Sequence, residues 1–400
     1  MTEWTVASFN VKNLIGAEQE YYRFEKYTLE EYAWKAGWLA EQVATLNADL
    51  IGFQEIFDIE ALRDVIAQAD EIGEASNAVS IPDGSKPYRR KAIFRKLAYQ
   101  PYEKTVEIAF APNANDGGPG ERRPGVAVLS RRGFSEAPEI IQVLDNPLEI
   151  PLRELGGDGA GSFTVKRLSR PILKVKVPVA GTVVTVFNCH LKSKLGEFIT
   201  PQGADFAPEA NLTNYDAVGR AMGSLRAALR RMAEAWVLRR EIVAELKKGH
   251  PVIVMGDLND GEHAVSTEII TGEAPFKNYA WMRRHDARHP GDRYSVEQAA
   301  QITEAVDSMR LHSAEKLFVR KSLRHMVYTA SFGGVFESID QILLSRHFHP
   351  EAENPLAQME YFSVLNDHLT DGSHPEAPYN KLASDHGQIM AHLRFGDSPA

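Results

Sequence analysis

"HPVIVMGDLND", residues 250 to 260, decides how the chain is read. Val252 to Met255 form the short apolar, β-branched run of a buried strand. Directly after them come an aspartate, a leucine, an asparagine and a second aspartate. Side chains of a strand alternate between faces at a rise of about 3.3 Å per residue, so Asp257 and Asn259 share one face about 6.6 Å apart if the strand continues. From this stretch alone two readings stay open. One is an Asx turn that ends a strand. The other is a pair of oxygen-bearing groups at the C-terminal end of a strand, where layered α/β folds often keep their chemistry.

The same pattern recurs along the chain. "ASFNV" ends at Asn10, "LIGFQE" at Gln54 and Glu55, and "VTVFNCH" at Asn188 and His190. "FESIDQILLS" carries Asp340 in an otherwise apolar run, and "NKLASDHGQIMAHL" places Asp385 and His386 just before a final strand. An isolated ion in a core costs several kcal/mol or gives up its charge. Gathering these groups at one rim around a divalent cation removes that difficulty.

Helical patterns alternate with the strands. Residues 28 to 47 place Leu29, Tyr32, Ala36, Leu39, Val43 and Leu46 on one stripe, and Thr28 with Glu31 makes a capping-box start. A second helix over 219 to 247 is expected to bury Met222, Leu225, Leu229, Met232, Trp236, Val243 and Leu246. No repeat and no Ser/Pro-rich linker divides the chain. The expectation is therefore one domain over residues 1–400, with loop insertions near 66–125, 145–168, 193–218 and 366–381.

Composition sets limits. A formal net charge of −9 argues against holding a polyanion by general electrostatics, so such a partner must meet a local basic patch or a bound cation. Local candidates are "KPYRRKAIFRK" (86–96), "ERRPG" (121–125) and "VKRLSRP" (165–171), each of which also reads as a solvated face. The lone Cys189 rules out an intrachain disulfide and a cysteine-rich zinc site, and it reads as core packing. No run of about 18 apolar residues exists, so no membrane span is expected. The start lacks a secretory pattern, so a cytoplasmic location is expected, with secretion after processing left open. No obligate protein partner is evident.

In this order, "SFNV" (8–11), "GFQE" (52–55), "CHLKS" (189–193), "GDLND" (256–260), "SIDQILLS" (338–345) and "SDH" (384–386) resemble the endonuclease/exonuclease/phosphatase superfamily. That group includes deoxyribonucleases, abasic-site endonucleases, neutral sphingomyelinases and inositol polyphosphate phosphatases. The resemblance implies a four-layered α/β sandwich, with two mixed β-sheets face to face and helices outside. It implies Mg²⁺ or Mn²⁺ held by Glu55 with Asn10 and Asp385. It gives Asp257 the role of a second ligand or of the group that orients the attacking water, with Asn259 beside it on the phosphate. His386 becomes a general base or a phosphate-contacting cation, with Asp340 as its partner. His190 becomes a phosphate binder or general acid. Arg170, Asn259 and Lys192 are the expected phosphate contacts, with Arg123 a lesser one.

Hydrolysis of phosphodiesters in DNA or RNA by in-line attack of water is the implied activity. The alternatives are a phosphomonoesterase or a lipid or small-molecule phosphodiesterase, and a binding module on an inactive scaffold. "MGDLND" lacks the extended signature of the inositol phosphatase branch, and "VYTASFGGVFESIDQ" lacks the tryptophan of the abasic-site branch. A lipid-directed member would carry a protruding apolar hairpin, for which "AWM" (280–282) is the one candidate read from the sequence.

Overall fold

The computed structural model describes residues 3–78, 98–102, 107–153, 160–200, 203, 205–275, 294–319, 327–370 and 380–395. The basic stretch 86–96 and "AWM" of 280–282 lie outside the described residues.

Two β-α-β units organise the chain. β1 (Glu3–Leu14) crosses through α1 (Leu29–Leu46) to β2 (Leu50–Ile56), which runs parallel to it. β7 (Thr182–His190) crosses through α3 (Ala217–Lys247) to β8 (Val252–Asp257), again parallel. The parallel pairs need these crossovers, and the helices cover the outer faces.

Antiparallel strands widen each pair into a six-stranded sheet. The first sheet runs β13 (Ala357–Leu365), β14 (Gln388–Phe395), β1, β2, β4 (Gly125–Ser130), β3 (Glu107–Ala111). The second runs β5 (Glu139–Arg153), β6 (Ala160–Val179), β7, β8, β12 (Asp340–Ser345), β9 (Leu311–Ser313). A separate hairpin joins β10 (Ala330–Phe332) to β11 (Val335–Glu337).

The sheets face each other across Val6, Leu50 and Val128 on one side and Val175, Val186, Ile253 and Ile342 on the other. Outside the first sheet, α1 and α2 (Ile59–Ala78) pack on Phe9, Ile51 and Phe53. Outside the second, α3 packs on Phe187, Cys189 and Val254. Each such side chain contributes about 1.5–3 kcal/mol when fully buried. The expected four layers are present.

A polar seam crosses the inner layer. Gln54 Nε2 donates to Asn188 Oδ1 at 2.7 Å, and Asn188 Nδ2 donates to the carbonyls of Phe53 (3.0 Å) and Ala127 (2.8 Å). It ties the sheets together directly below the rim where the strands end.

The structure departs from the sequence expectations at four places. Residues 59–78 form one helix, so the region from 66 begins as regular structure and not as a loop. Much of 145–168 extends the β5–β6 antiparallel pair. The capping box of α1 forms as expected, yet Leu29 stays exposed beside it, because the helix turns its first residue away from the sheet. On α3, Leu246 is buried as expected, but Leu225 and Trp236 face solvent, and the buried face also carries Gly223, Ala227, Arg231, Glu234, Leu238, Ile242 and Glu245. Small residues let the helix approach the sheet, and the buried charges have partners. The Trp236 ring lies under the Arg240 guanidinium at 5.6 Å.

Candidate functional site

Four of the expected residues continue the inner-face alternation of their strands past the apolar layer. Asn10 follows Val6 and Ser8, His190 follows Val186 and Asn188, Asp257 follows Ile253 and Met255, and Asp340 precedes Ile342. Register then sets them side by side. Asp257 pairs with His190 on one flank and with Asp340 on the other. Gly256 allows this approach: its φ is 140°, and a Cβ there would meet the Cys189 carbonyl oxygen at 1.9 Å.

Glu55 reaches the same rim by a different route. The β1–β2 and β2–β4 registers slip at this residue, and its φ of 65° is left-handed. Such a bulge re-aims a side chain at the cost of local strain. Its carboxylate accepts from Asn10 Nδ2 at 3.3 Å and from the Asn13 N–H at 3.0 Å. Tyr22 closes this edge, its hydroxyl 2.6 Å from Asn13 Oδ1.

Asp257 is the hub. Its Oδ2 lies 3.3 Å from His190 Nε2, 3.7 Å from His386 Nε2 and 3.1 Å from Asn10 Nδ2. Burial, and then the Asp340 and Glu55 charges, push its carboxyl well above the ordinary range, against the pull of His386. His386 Nδ1 is 2.8 Å from Asp340 Oδ2, which leaves Nε2 to face Asp257. Burial opposes charge on His386, but Asp340 and Asp257 outweigh it and hold the imidazole well above its usual value. His190 is driven the other way, by burial and then by Arg170, His386 and Lys192. Two histidines beside one carboxylate are therefore split into a charged and a neutral member.

Asn259 settles the question raised by "GDLND" in favour of both readings. β8 ends at Asp257, and Asn259 has a left-handed φ of 55° with its N–H 2.8 Å from Asp257 Oδ1. The stretch is an Asx turn, and the turn holds Asp257 in the site. Asn259 is thus not on a continuing strand; its Nδ2 donates to the Leu191 carbonyl at 2.9 Å.

The expected phosphate contacts divide. Arg170 stands beside His190 and donates from Nη1 to the Leu191 carbonyl at 3.2 Å. Lys192 Nζ donates to the Leu195 carbonyl at 2.8 Å, and nearby Lys194 pairs with Glu337 at 2.6 Å. Arg123 is exposed, its N–H turned to Asp116. Asp385 is not drawn into the carboxylate cluster; its side chain is 53% exposed, with Lys12 Nζ at 3.8 Å.

Several supporting groups escaped the sequence reading. Ser384 Oγ donates to the Asn10 carbonyl at 2.6 Å and accepts the His386 N–H at 3.0 Å, so it pins the last motif to the first. It stands in "SDH", where the serine has no spacing of its own beside the acid and the histidine. Thr329 Oγ1 accepts from the Asp340 N–H at 3.0 Å, and His368 Nε2 lies 3.0 Å from the His386 carbonyl oxygen. Neither belongs to a motif that could have flagged it.

Single atoms of Asp257, Asp340 and His386 lie within 4.8 Å of one another. Because Asp340 and His386 are already hydrogen-bonded, the donors that suit a hard cation are Glu55, Asp257 and the Asn10 amide. The structure fits such an ion: the Glu55 and Asp257 carboxylates lie close enough to share the Asn10 side chain, whose Oδ1 now accepts from the Lys12 N–H at 3.0 Å, and Asp340 Oδ1 is buried without a hydrogen-bond partner among the described residues.

A two-sheet sandwich with carboxylates, an Asp–His pair, a second histidine and an arginine at one rim defines a phosphoesterase of the layered α/β class. The model of the Endonuclease/Exonuclease/phosphatase family matches residues 7–386, and the chain belongs to that family, whose members hydrolyse phosphoesters. Among solved structures it is similar to an endonuclease/exonuclease/phosphatase family protein from Bacteroides thetaiotaomicron, at 15% identity and a TM-score of 0.48 over 99% of this chain and 98% of that one. It is also similar to a mannosyl-6-phosphatase from the same organism, at 14% identity and a TM-score of 0.46 over 98% and 100% of the two chains. The human Nocturnin catalytic domain aligns at 13% identity and a TM-score of 0.45 over 98% and 95%. Likeness at this level transfers no substrate. A comparison with the curated proteins found no match.

Proposed function

We propose that the protein is a Mg²⁺- or Mn²⁺-dependent phosphodiesterase, with DNA or RNA as its substrate. The observation that carries this reading is the convergence of Asp257, His190 and the Asp340–His386 pair beside Arg170. Glu55, Asn10 and Asp257 would hold the cation, which would polarise a phosphoryl oxygen and neutralise charge on the leaving oxygen.

Every other part falls to the chain itself. Asp257, at the centre of the cluster, orients the attacking water and takes up its proton. His386, kept cationic by Asp340, donates from Nε2 to a non-bridging phosphoryl oxygen. His190 is neutral and donates a second hydrogen bond, and Arg170, beside it, binds the phosphate. Oriented donors of this kind stabilise the charge that develops in transfer.

A lipid phosphodiesterase is the second reading, and a specific feature favours it. The β10–β11 hairpin exposes Phe332 (75%), Val335 (55%) and Phe336 (53%) around its Gly333–Gly334 turn. Its root is tied to the site, since the Gly387 N–H donates to the Thr329 carbonyl at 2.8 Å. Lys194 bridges the hairpin to the loop that exposes Leu195, Ile199 and Phe206.

One panel separates the readings: plasmid, single-stranded DNA, RNA, bis-p-nitrophenyl phosphate, p-nitrophenyl phosphate and sphingomyelin vesicles, each with Mg²⁺, Mn²⁺ or EDTA. Plasmid or RNA cleavage that EDTA abolishes supports the nuclease. Turnover confined to vesicles, and lost in a Phe332→Ser/Phe336→Ser variant, replaces it with the lipid enzyme. Hydrolysis of the monoester alone sinks both.

A further inference from the structure

Two side chains on the buried face of α3 hold the middle of β6 and the segment after β7, which carry the phosphate-binding edge. Glu234 is 1% exposed, and both of its oxygens are used. Oε1 accepts the Ser169 N–H at 2.6 Å, and Oε2 accepts the Lys192 N–H at 2.8 Å. One turn earlier, Arg231 donates from Nη1 to the Lys192 carbonyl at 3.1 Å and from Nε to Asp260 Oδ2 at 2.6 Å. Residue 192 is therefore gripped at its N–H by one helix side chain and at its carbonyl by the other. The gripped residues adjoin the site: Ser169 precedes Arg170, and Asp260 follows Asn259. Arg170 and Asn259 then share one acceptor, the Leu191 carbonyl, at 3.2 and 2.9 Å.

An ionised carboxylate under a helix is destabilising unless hydrogen bonds and a cation offset it, and a leucine would fill this layer at less cost. Burial raises the proton affinity of Glu234, and two backbone N–H groups and the neighbouring Arg170 charge counter this in part. The carboxylate thus fixes the backbone of β6 next to Arg170 and that of residue 192 after β7, within reach of the Arg170 charge.

We infer that Glu234, with Arg231, is a positioning residue: it sets Arg170 and the 191–192 backbone at the distance a phosphate needs, without touching substrate itself. This rests on the phosphodiesterase reading for its meaning, but its test need not pass through turnover. Calorimetric titration with inorganic phosphate compares wild type, Glu234→Gln, Arg170→Ala and the double variant.

Glu234→Gln keeps the size of the side chain but sets an amide NH₂ against a backbone N–H. The expected result is phosphate binding weakened at least tenfold in each single variant, with little further loss in the double, because Glu234 acts through Arg170. A purely structural glutamate would instead lower Tm while leaving the dissociation constant unchanged, or its effect would add in full to that of Arg170→Ala. Either result overturns the inference, as does wild-type protein that binds no phosphate. If Glu234→Gln does not fold, Arg231→Lys keeps the charge, loses the fork, and must show the same non-additive weakening. A wild type that binds phosphate yet hydrolyses no ester sinks the functional reading alone, and the clamp is still judged on binding.

Discussion

At the scale of single residues the site is a problem of proton placement. Asp340 fixes His386 by its Nδ1, so Nε2 is the working nitrogen, and the same carboxylate helps keep the ring charged. His386→Ala removes that donor and is expected to cut kcat/KM by at least the ~10²-fold typical of acid–base groups. Circular dichroism should be unchanged, and parental activity in the pure variant would rule out the role. Asp340→Asn makes a finer test. Its sign follows from the folded pKa of His386, which is raised: the imidazolium persists to a higher pH than usual and is lost as pH climbs through that value. Without the Asp340 charge, the alkaline limb of the kcat/KM profile should move down by about one unit or more. A limb that stays in place would assign it to another group. Legibility at this scale was uneven. Asp257 and His386 were readable because strand ends rarely bury such groups without a use. Ser384, Thr329 and His368 were not, because a hydroxyl or imidazole bound to a backbone atom leaves no spacing in the sequence.

At the scale of elements, α1 and α3 show when a helical stripe can be trusted. The α1 stripe was right from Ala36 to Leu46, since that face meets an apolar sheet. The α3 stripe held at Leu246 but failed at Leu225 and Trp236, because much of its inner face is built from Ala, Gly and paired charges, and hydropathy periodicity is blind to pairing. Even α1 hides a charge. Lys35 is fully buried, and its ammonium donates to the Val11 carbonyl at 3.0 Å and the Leu382 carbonyl at 3.1 Å. It thereby ties β1 to the segment that leads into Ser384 and His386. Burial, and then the charge of Lys12, bring its pKa from 10.5 down to about 7. Below about pH 7 both the folded and the unfolded chain hold this proton. Between about 7 and 10.5 the unfolded chain binds one proton more than the folded one, so stability rises with pH. The slope is at most about 1.4 kcal/mol per pH unit. Lys35→Met lacks this contribution. Urea melts at pH 7 and pH 9.5 should therefore show wild type gaining on the variant at the higher pH; a constant difference would mean that Lys35 titrates normally.

At the scale of the whole molecule, the two sheets meet at the carboxylates. Asn10 and Glu55 come from the first sheet, and Asp257 comes from the second. The buried seam from Gln54 to Asn188 joins the sheets below, but above it like charges face each other across the gap. A cation at that point would neutralise the repulsion and bridge the layers, so binding and folding must be linked. A ligand that binds only the folded state adds about 2.7 kcal/mol at a hundredfold excess over its dissociation constant. Mg²⁺ or Mn²⁺ should therefore raise Tm by several degrees, and EDTA should reverse the rise. Ca²⁺ should act in the same direction, since the donors are hard oxygens. Glu55→Gln should abolish most of the gain while raising the Tm of the metal-free protein slightly, because one of the opposed charges is gone. That pairing of effects separates a metal ligand from a carboxylate that merely caps the Asn13 N–H, whose loss would lower Tm with and without metal alike. A wild-type Tm indifferent to both EDTA and added cation would leave the cluster as a proton-sharing network and remove the metal from the mechanism.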